Sequence, residues 1–271
     1  MADTVGIKFL YQFSLGEYNT TFPGLNVISV TSQASGDHDK KNLTTTPLRE
    51  TWRSASIVTT QEIIIEANDL NTVIDTFAIL NHNLTDLAVV QLQASLIDPT
   101  FAAPAFTINF TYNKKHLVLL QDLGLAYRYF KIKITDPTNP CGFIEIGKIV
   151  AGKSFTFTNN EDITDKIGIG NDDLSYKMKS EGFFRAANER VKVQKLNVRF
   201  SNLDTTIGQD VNYQGLLAFM EEVGETLPFL TIVDPSQPYF KLIWGIIDKM
   251  PSESYDINRY VDIPLVIQEV Y

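Results

Sequence analysis

The chain contains very little cysteine and histidine. Cys141 is the only cysteine among 271 residues, which excludes an internal disulfide framework and a zinc site built from cysteines. The three histidines, His38, His82 and His116, lie in separate parts of the sequence, without the spacing of paired metal ligands. We therefore predict that the protein holds neither a metal ion nor another cofactor.

Positive charge is also scarce, because 23 lysines and arginines stand against 32 aspartates and glutamates. Binding to a phosphate backbone needs clustered basic side chains, so sequence-specific nucleic-acid recognition is not expected. The densest basic segment, residues 177–195, is interpreted as solvated strand faces. No segment approaches the ~18 consecutive apolar residues that span a bilayer. No secretory signal is visible at the N-terminus either, so we predict no stable membrane anchor.

Catalytic motifs are missing from the sequence. There is no G-x-S-x-G motif to hold a serine nucleophile, and no Gly-Lys-Ser/Thr follows the glycines of residues 168–170. Residues 171–173 (NDD) offer hard oxygens to calcium, but the distal glutamate of an EF-hand loop is absent. We predict that the chain is not an enzyme. A glycosidase assembled from scattered carboxylates remains the third-ranked alternative.

Short alternating segments are what the sequence does contain. Apolar and polar residues alternate over residues 90–96, 106–111 and 129–134, which places one set of side chains on the buried face of a sheet. Turn-forming Asp-Pro pairs at residues 98–99 and 136–137 separate these segments. Short strands with such turns predict a β-sandwich or a β-barrel.

The composition changes near residue 153, where we predict the boundary between a β-sandwich domain at residues 1–153 and a second domain at residues 154–271. The second domain is predicted to begin with an acidic, turn-rich linker at residues 159–173. Two paired strands are predicted to follow, at residues 174–179 and 191–200. Strands, then a helix, then more strands indicate an α+β domain.

One main helix is predicted, at about residues 209–224. Its apolar stripe consists of Tyr213, Leu216, Leu217, Met220 and Val223. Asp210 or Asn212 is expected to cap the start of this helix, and Gly224 is expected to end it in a left-handed turn. The stripe predicts that the helix lies against a sheet.

Three residues are weak candidates for contact with a glycan: Trp52, His82 and Asn83. An accessible indole stacks on a sugar ring, and a histidine flanked by amides hydrogen-bonds to hydroxyl groups. The structural alternative for His82 is a turn that satisfies only its own backbone groups. For Trp52 the alternative is a place in a core, which is also the predicted place of Trp244 in its apolar segment.

Several segments carry a resemblance to a known family. Residues 76–84 (TFAILNHNL), YRYFKIKITDP and GFIEIGKIVAG resemble the galactose-binding-like (discoidin-type) β-sandwich found in tail proteins of tailed bacteriophages, over residues 42–152. The amphipathic helix, LPFLTIVDP and the final PLVIQEVY resemble the sheet-plus-helix domain of phage tail-tip and distal-tail proteins. The resemblance implies a mainly β chain, with an N-terminal jelly-roll β-sandwich and a C-terminal α+β domain.

The resemblance also implies a function, which is that of a structural protein. It implies a non-enzymatic minor tail protein in a phage tail tip or baseplate, assembled in the host cytoplasm and located in the virion. It also implies a homo-oligomeric ring around the tail channel, next to the tail tube and hub proteins. A ring closes sheet edges that otherwise aggregate. The alternative is a carbohydrate-binding adhesin or receptor-binding module that contacts host-surface glycans.

Overall fold

Strands make up most of the chain in the structure, which is a computed structural model. It describes residues 7–12, 25–45, 48–57, 60–67, 73–121, 126–157, 168–173, 177–180, 183–186, 192–205, 211–235, 242–251, 254–255 and 260–270. The strands are β1 (Lys8–Gln12), β2 (Leu25–Val30), β3 (Trp52–Arg53), β4 (Gln61–Ala67), β5 (Thr76–His82), β6 (Val89–Ser95), β7 (Phe106–Asn109), β8 (His116–Leu120), β9 (Tyr129–Thr135), β10 (Glu145–Thr156), β11 (Gly168–Asp173), β12 (Lys177–Ser180), β13 (Phe183–Ala186), β14 (Lys192–Asp204), β15 (Phe229–Ile232), β16 (Leu242–Ile247), β17 (Ser254–Tyr255) and β18 (Tyr260–Glu269).

The described residues also contain one α-helix, α1 (Val211–Val223), and one 3-10 helix (Lys40–Leu43). The prediction of a mainly β chain with antiparallel sheets and one main helix is confirmed.

Packing divides the chain into two compact units. The sandwich unit comprises Leu10–Ser154, Gln237–Leu242 and Tyr271, and the helix unit comprises Met1–Phe9, Phe155–Ser236 and Ile243–Val270. The predicted domain limits, residues 1–153 and 154–271, stay a prediction.

Two antiparallel layers form the sandwich unit. Strands β2, β4, β9, β6 and β7 form one sheet in that order. In the other layer β10 pairs with β3 and β5, and β5 pairs with β8. The rings of Phe77 on β5 and Phe130 on β9 lie 4.9 Å apart between centroids, because the inner faces of both layers build one core.

The connection between β9 and β10 carries the chain from one layer to the other. The alternating segment at residues 129–134 is strand β9, and the predicted turn at residues 136–137 follows it, with the exposed Cys141 between this turn and β10. The buried Asp136 carboxylate accepts hydrogen bonds from Thr85 N at 2.9 Å, Thr85 Oγ1 at 2.6 Å and Asn139 Nδ2 at 3.1 Å. These bonds fix the turn against the segment that follows β5.

Lys148 is a buried lysine in the middle of β10, with 0% of its surface exposed. Its Nζ donates to Asn42 O at 3.2 Å and to Thr45 Oγ1 at 3.0 Å, which ties the 3-10 helix to the strand. Burial lowers the pKa of Lys148 from 10.5 to about 8, and the charge of Glu50 acts in the opposite direction. The folded chain therefore binds this proton less tightly than the unfolded chain does.

A Lys148→Met variant tests how this lowered pKa affects the stability of the fold. Because the folded-state pKa is depressed, the free energy of unfolding of the wild type rises with pH between about 8 and 10.5. This group contributes roughly 3 kcal/mol at most over that window. We expect Lys148→Met to lack this rise in urea unfolding experiments, whereas Lys153→Met, at an exposed lysine on the same strand, keeps it. Parallel pH curves for wild type and Lys148→Met would contradict the prediction.

The sheet of the helix unit has the strand order β11, β14, β18, β16, β15. Strand β17 pairs with the N-terminal part of β18. Along β18 the buried residues Val261, Ile263, Leu265 and Ile267 alternate with more exposed ones, as the sequence pattern predicts. The ladder between β14 and β18 is irregular between Phe200 and Leu203.

Helix α1 buries Leu216, Phe219, Met220 and Val223. This corrects the predicted stripe, because Phe219 is fully buried whereas Leu217 is half-buried. The Phe219 ring stacks on Phe9 at 4.6 Å between centroids and meets the edge of Phe229 at 4.8 Å. A Cβ at position 215 would collide with the Phe155 ring, so glycine there permits close approach.

The predicted end of the helix is confirmed. Gly224 has a φ of +53°, and its N–H donates to Met220 O at 3.0 Å. The proposed cap Asp210 lies outside the described residues, as does the side chain of Asn212.

Two predictions at the start of the second half are wrong. Residues 168–173 are strand β11, paired with β14, although they were predicted to belong to a linker. Residues 177–180 pair with residues 183–186, and β14 pairs with β11 and β18. The sequence of β11 is mostly polar, so it does not show the apolar alternation that predicts a strand. An edge strand tolerates such side chains, whereas a central strand does not. The remainder of the predicted linker, residues 159–167, lies outside the described residues.

Candidate functional site

A half-exposed cluster of polar side chains lies where β3 pairs with β10 in the sandwich unit. The register places Arg53 opposite Glu145 and Trp52 opposite Ile146. Since successive side chains of a strand point to opposite faces, Arg53 and Glu145 share the outer face while Trp52 and Ile146 share the core face. We name the outer group, with Thr51, His38 and Phe143, the Arg53–Glu145 site.

The Arg53–Glu145 site is held by a chain of short contacts. Arg53 Nη2 lies 3.3 Å from Glu145 Oε1 and 3.2 Å from Oε2, and the guanidinium carbon lies 4.1 Å from the centroid of the Phe143 ring. Thr51 Oγ1 donates to Glu145 Oε1 at 2.5 Å, and His38 Nδ1 lies 3.2 Å from Thr51 Oγ1. The side chains of Arg53 and Glu145 are 31% and 24% exposed, so solvent reaches both.

Not all donors of this site are used within the chain. Arg53 Nε is buried and has no hydrogen-bond partner among the described residues. Because Nε is enclosed, a ligand reaches the guanidinium through the exposed part of the Arg53 side chain and not through this atom. The carboxylate of Glu145 also has lone pairs beyond those used by Arg53 and Thr51.

Asn83, a sequence candidate for glycan contact, supports this site from behind. Its Nδ2 donates to Phe143 O at 2.9 Å, and its Oδ1 accepts from Glu145 N at 2.8 Å. Its backbone N–H also donates to Glu145 O at 3.2 Å. The amide is therefore occupied by the backbone of the two residues that carry the ring and the carboxylate of the site.

His82, the second candidate, is mostly buried. Its Nδ1 accepts from Leu84 N at 3.2 Å, and its ring lies 6.2 Å from that of Tyr112 between centroids. Burial lowers the pKa of His82 to about 4, although the Asn113 carbonyl and the Asp136 charge act to raise it. Nε2 lies in no well-formed hydrogen bond among the described residues. This geometry favours the turn-satisfying role over a ligand contact.

His116 packs near His82 and is also kept neutral. Its Nδ1 accepts from Asn81 N at 3.2 Å, where Asn81 has a left-handed φ of +55°. Burial lowers the pKa of His116 to about 3, with smaller contributions from the charges of Lys115 and His82. The pair holds the end of β5 in place only while both rings are uncharged.

Acid is expected to loosen this end of the sandwich unit. Because the folded-state pKa values are depressed, the unfolded chain takes up protons from about pH 6.5 downward, whereas the folded chain does so only near pH 4 and below. The free energy of unfolding therefore falls as the pH drops from 6.5 to 4. We expect His116→Asn, which keeps an acceptor for Asn81 N–H, to show a smaller fall in urea unfolding measurements. An unchanged pH slope would contradict this.

Trp52, the third candidate, is 0% exposed and belongs to the core of the sandwich unit. Its ring offers no face to a sugar in this structure, because β3 turns it toward Ile146 and the core. Trp244 is likewise buried, as expected. In the described residues no three histidine, cysteine or acidic side chains come together as a metal site.

The sequence reasoning missed Arg53, Glu145, Phe143, Thr51 and His38. One signal was present: Glu145 stands between the isoleucines Ile144 and Ile146, and Arg53 follows Trp52, so each charge is an outward residue beside an inward one.

No helix in the part of the chain that the structure describes is long and apolar enough to cross a membrane.

Comparison with known proteins gives matches among solved structures only. No protein-family profile matches the chain, and no curated protein sequence does. Module CBM32-3 of a family 31 glycoside hydrolase from Clostridium perfringens is 17% identical, with a TM-score of 0.38, and the match covers 48% of this chain and 91% of that module.

Two further matches have comparable values. Chitosan-binding module 1 of a chitosanase/glucanase from Paenibacillus sp. IK-5 is 12% identical, with a TM-score of 0.39, over 50% of this chain and 100% of the module. A chain from the complex of reduced XRCC1 with the catalytic domain of DNA polymerase beta is 16% identical, with a TM-score of 0.36, over 49% and 97% of the two chains. At these values no residue role is transferred.

Proposed function

We propose that the protein is a non-catalytic carbohydrate-binding protein whose sandwich unit holds a glycan at the Arg53–Glu145 site. The observation that carries this proposal is the half-exposed guanidinium–carboxylate pair beside the Phe143 ring. Sugar hydroxyls both donate and accept hydrogen bonds, so a fixed donor next to a fixed acceptor suits two neighbouring hydroxyl groups. The ring adds apolar surface for the C–H face of a sugar.

The site is preorganised, which lowers the entropic cost of binding. The β3–β10 ladder sets the separation of Arg53 and Glu145, and the Asn83 amide fixes the backbone at Phe143 and Glu145. Thr51 holds one carboxylate oxygen in place. Glu145 is paired with Arg53 and accepts a hydrogen bond from Thr51, so its carboxylate is held as a fixed acceptor for hydroxyl groups.

Substitution of either charged residue tests the proposal. We expect Arg53→Gln and Glu145→Gln to weaken binding to glycans identified on an array, because each removes hydrogen bonds to a charged group, which are worth about 1.5–3 kcal/mol. Such a loss is roughly a tenfold or larger increase in Kd by isothermal titration calorimetry. Arg128→Gln, at the exposed ion pair with Glu66 in the same unit, is the matched control and leaves binding unchanged. Unaltered binding in both site variants would refute the proposal.

A second candidate function is assembly into a phage tail, which the backbone topology of the helix unit favours. Among the described residues, strands β12 and β13 pair with each other and with no third strand. In the chain they lie between β11 and β14, which pair with each other. A two-stranded hairpin is marginally stable alone in water. A hairpin arm that pairs or docks against another copy suits the predicted homo-oligomeric ring, with tail tube and hub proteins as further partners.

This second candidate predicts a multimer. We expect light scattering coupled to gel filtration to give several copies per particle, and the charge reversals Lys177→Glu, Lys179→Glu and Arg185→Glu together to shift it toward the monomer. Matched reversals at the exposed lysines Lys153 and Lys249 are expected to leave the mass unchanged. A monomer at every concentration, together with absence of the protein from purified virions, would remove the tail-assembly proposal.

A further inference from the structure

Strand β7 is an exposed edge of the five-stranded sheet in the sandwich unit. It pairs with β6 in a regular register and is the last strand in the order of that sheet. Thr107 and Asn109 are exposed on the outer face, whereas Phe106 and Ile108 alternate with them on the core face and are only half-buried. The core-facing residues of the neighbouring β6 are buried. The margin of the core is therefore open along β7.

The backbone of β7 directs hydrogen-bonding groups away from the sheet. Phe110 N donates to Val90 O at 2.9 Å, and this bond places alternate residues, Ile108 among them, in hydrogen-bonded pairs with β6. The N–H and C=O groups of Thr107 and Asn109 therefore point outward. They form an edge that a further strand can extend.

Two other edge strands of the sandwich unit, β2 and β8, are less open than β7. At β2, on the opposite side of the same sheet, Lys40 Nζ donates to Ile28 O at 2.6 Å, and the register is irregular between Val27 and Ser29. Strand β8 is mostly buried. Burial, an edge lysine and an irregular register each hinder pairing with another chain. Residues 99–113, which include β7, contain no charged residue.

The outer side chains of β7 are complementary to a second copy of the same strand. Gln91 Nε2 donates to Asn109 Oδ1 at 3.0 Å, and Gln93 Nε2 donates to Thr107 Oγ1 at 3.3 Å. The Asn109 amide nitrogen and the Thr107 hydroxyl are donors as well. In an antiparallel pair with a twofold axis at Ile108, Thr107 of each copy lies opposite Asn109 of the other, so donors meet acceptors on both sides of the axis.

We infer that β7 is a homodimerisation edge, at which two copies of the chain join their five-stranded sheets into one antiparallel sheet. In this register the backbone groups of Thr107 and Asn109 bond in both directions across the axis. The two Ile108 side chains meet on the core face and cover its open margin. The absence of charge in residues 99–113 means that like charges do not oppose the pairing. The inference goes beyond carbohydrate binding and does not depend on it.

Amide hydrogen exchange of the full chain, followed by NMR, locates the interface. In a monomer the N–H of Ile108 is protected by β6, whereas those of Thr107 and Asn109 face solvent. We expect protection of these two amides to rise with protein concentration, in parallel with the dimer fraction measured by sedimentation equilibrium. A monomer at every concentration up to about 1 mM overturns the inference. A multimer in which both amides stay unprotected is joined elsewhere, for example at β12 and β13, and overturns it equally.

Two double variants at the same exposed positions test the register. Thr107→Lys with Asn109→Lys places like charges opposite each other across the axis, so we expect the dimer Kd to rise at least about tenfold. Thr107→Glu with Asn109→Lys places opposite charges there, and we expect a Kd no weaker than that of the wild type. Circular dichroism checks that both variants are folded. Equal weakening in the two variants, or in neither, overturns the assigned pairing.

Glycan binding is a separate readout. The Arg53–Glu145 site lies on the other layer of the sandwich unit, so both double variants are expected to bind glycans as the wild type does. A monomeric protein that binds glycans refutes the dimer alone. A dimer with protected Thr107 and Asn109 amides that binds no glycan supports the dimer and refutes the carbohydrate-binding function alone.

Discussion

The two-sided hydrogen bonding of the Asn83 amide is the constraint on which the site depends. It accepts from Glu145 N and donates to Phe143 O, and so it determines where β10 begins relative to the end of β5. The ladder that follows places Glu145 opposite Arg53 and keeps Ile146 in the core. A one-residue slip of β10 would turn Glu145 inward and an isoleucine outward, because strand side chains alternate.

The Arg53–Glu145 pair contributes little to stability. Ion pairs with this degree of exposure contribute about 0–1 kcal/mol, since solvent screens the charges and both side chains lose freedom. The pair nevertheless has a threonine, a histidine and an aromatic ring arranged around it. In contrast, Lys148, Asp136 and His116 are buried and internally bonded, so the neighbouring polar groups hold the strands together while the pair faces solvent.

The candidate residues show how far a local pattern reaches. His82 and Asn83 were chosen as candidates because they lie in a polar turn. In the structure the Asn83 amide and the His82 imidazole bond to protein atoms. Trp52 was chosen for its chemistry, but its burial depends on a partner strand more than 90 residues away in the chain. That partner is β10, whose Ile146 lies opposite Trp52.

Alternation, turn residues and the helical apolar stripe determined strands β6, β7 and β9 of the sandwich unit, the mainly β class and the end of helix α1, because each is a property of a few consecutive residues. The tertiary structure alone decided that residues 168–173 pair with β14, that Phe219 replaces Leu217 in the core, and that His38, Thr51, Arg53, Phe143 and Glu145 meet. These arrangements depend on register between distant segments, and register is set by the summed burial of whole strands, which no single stretch of sequence contains.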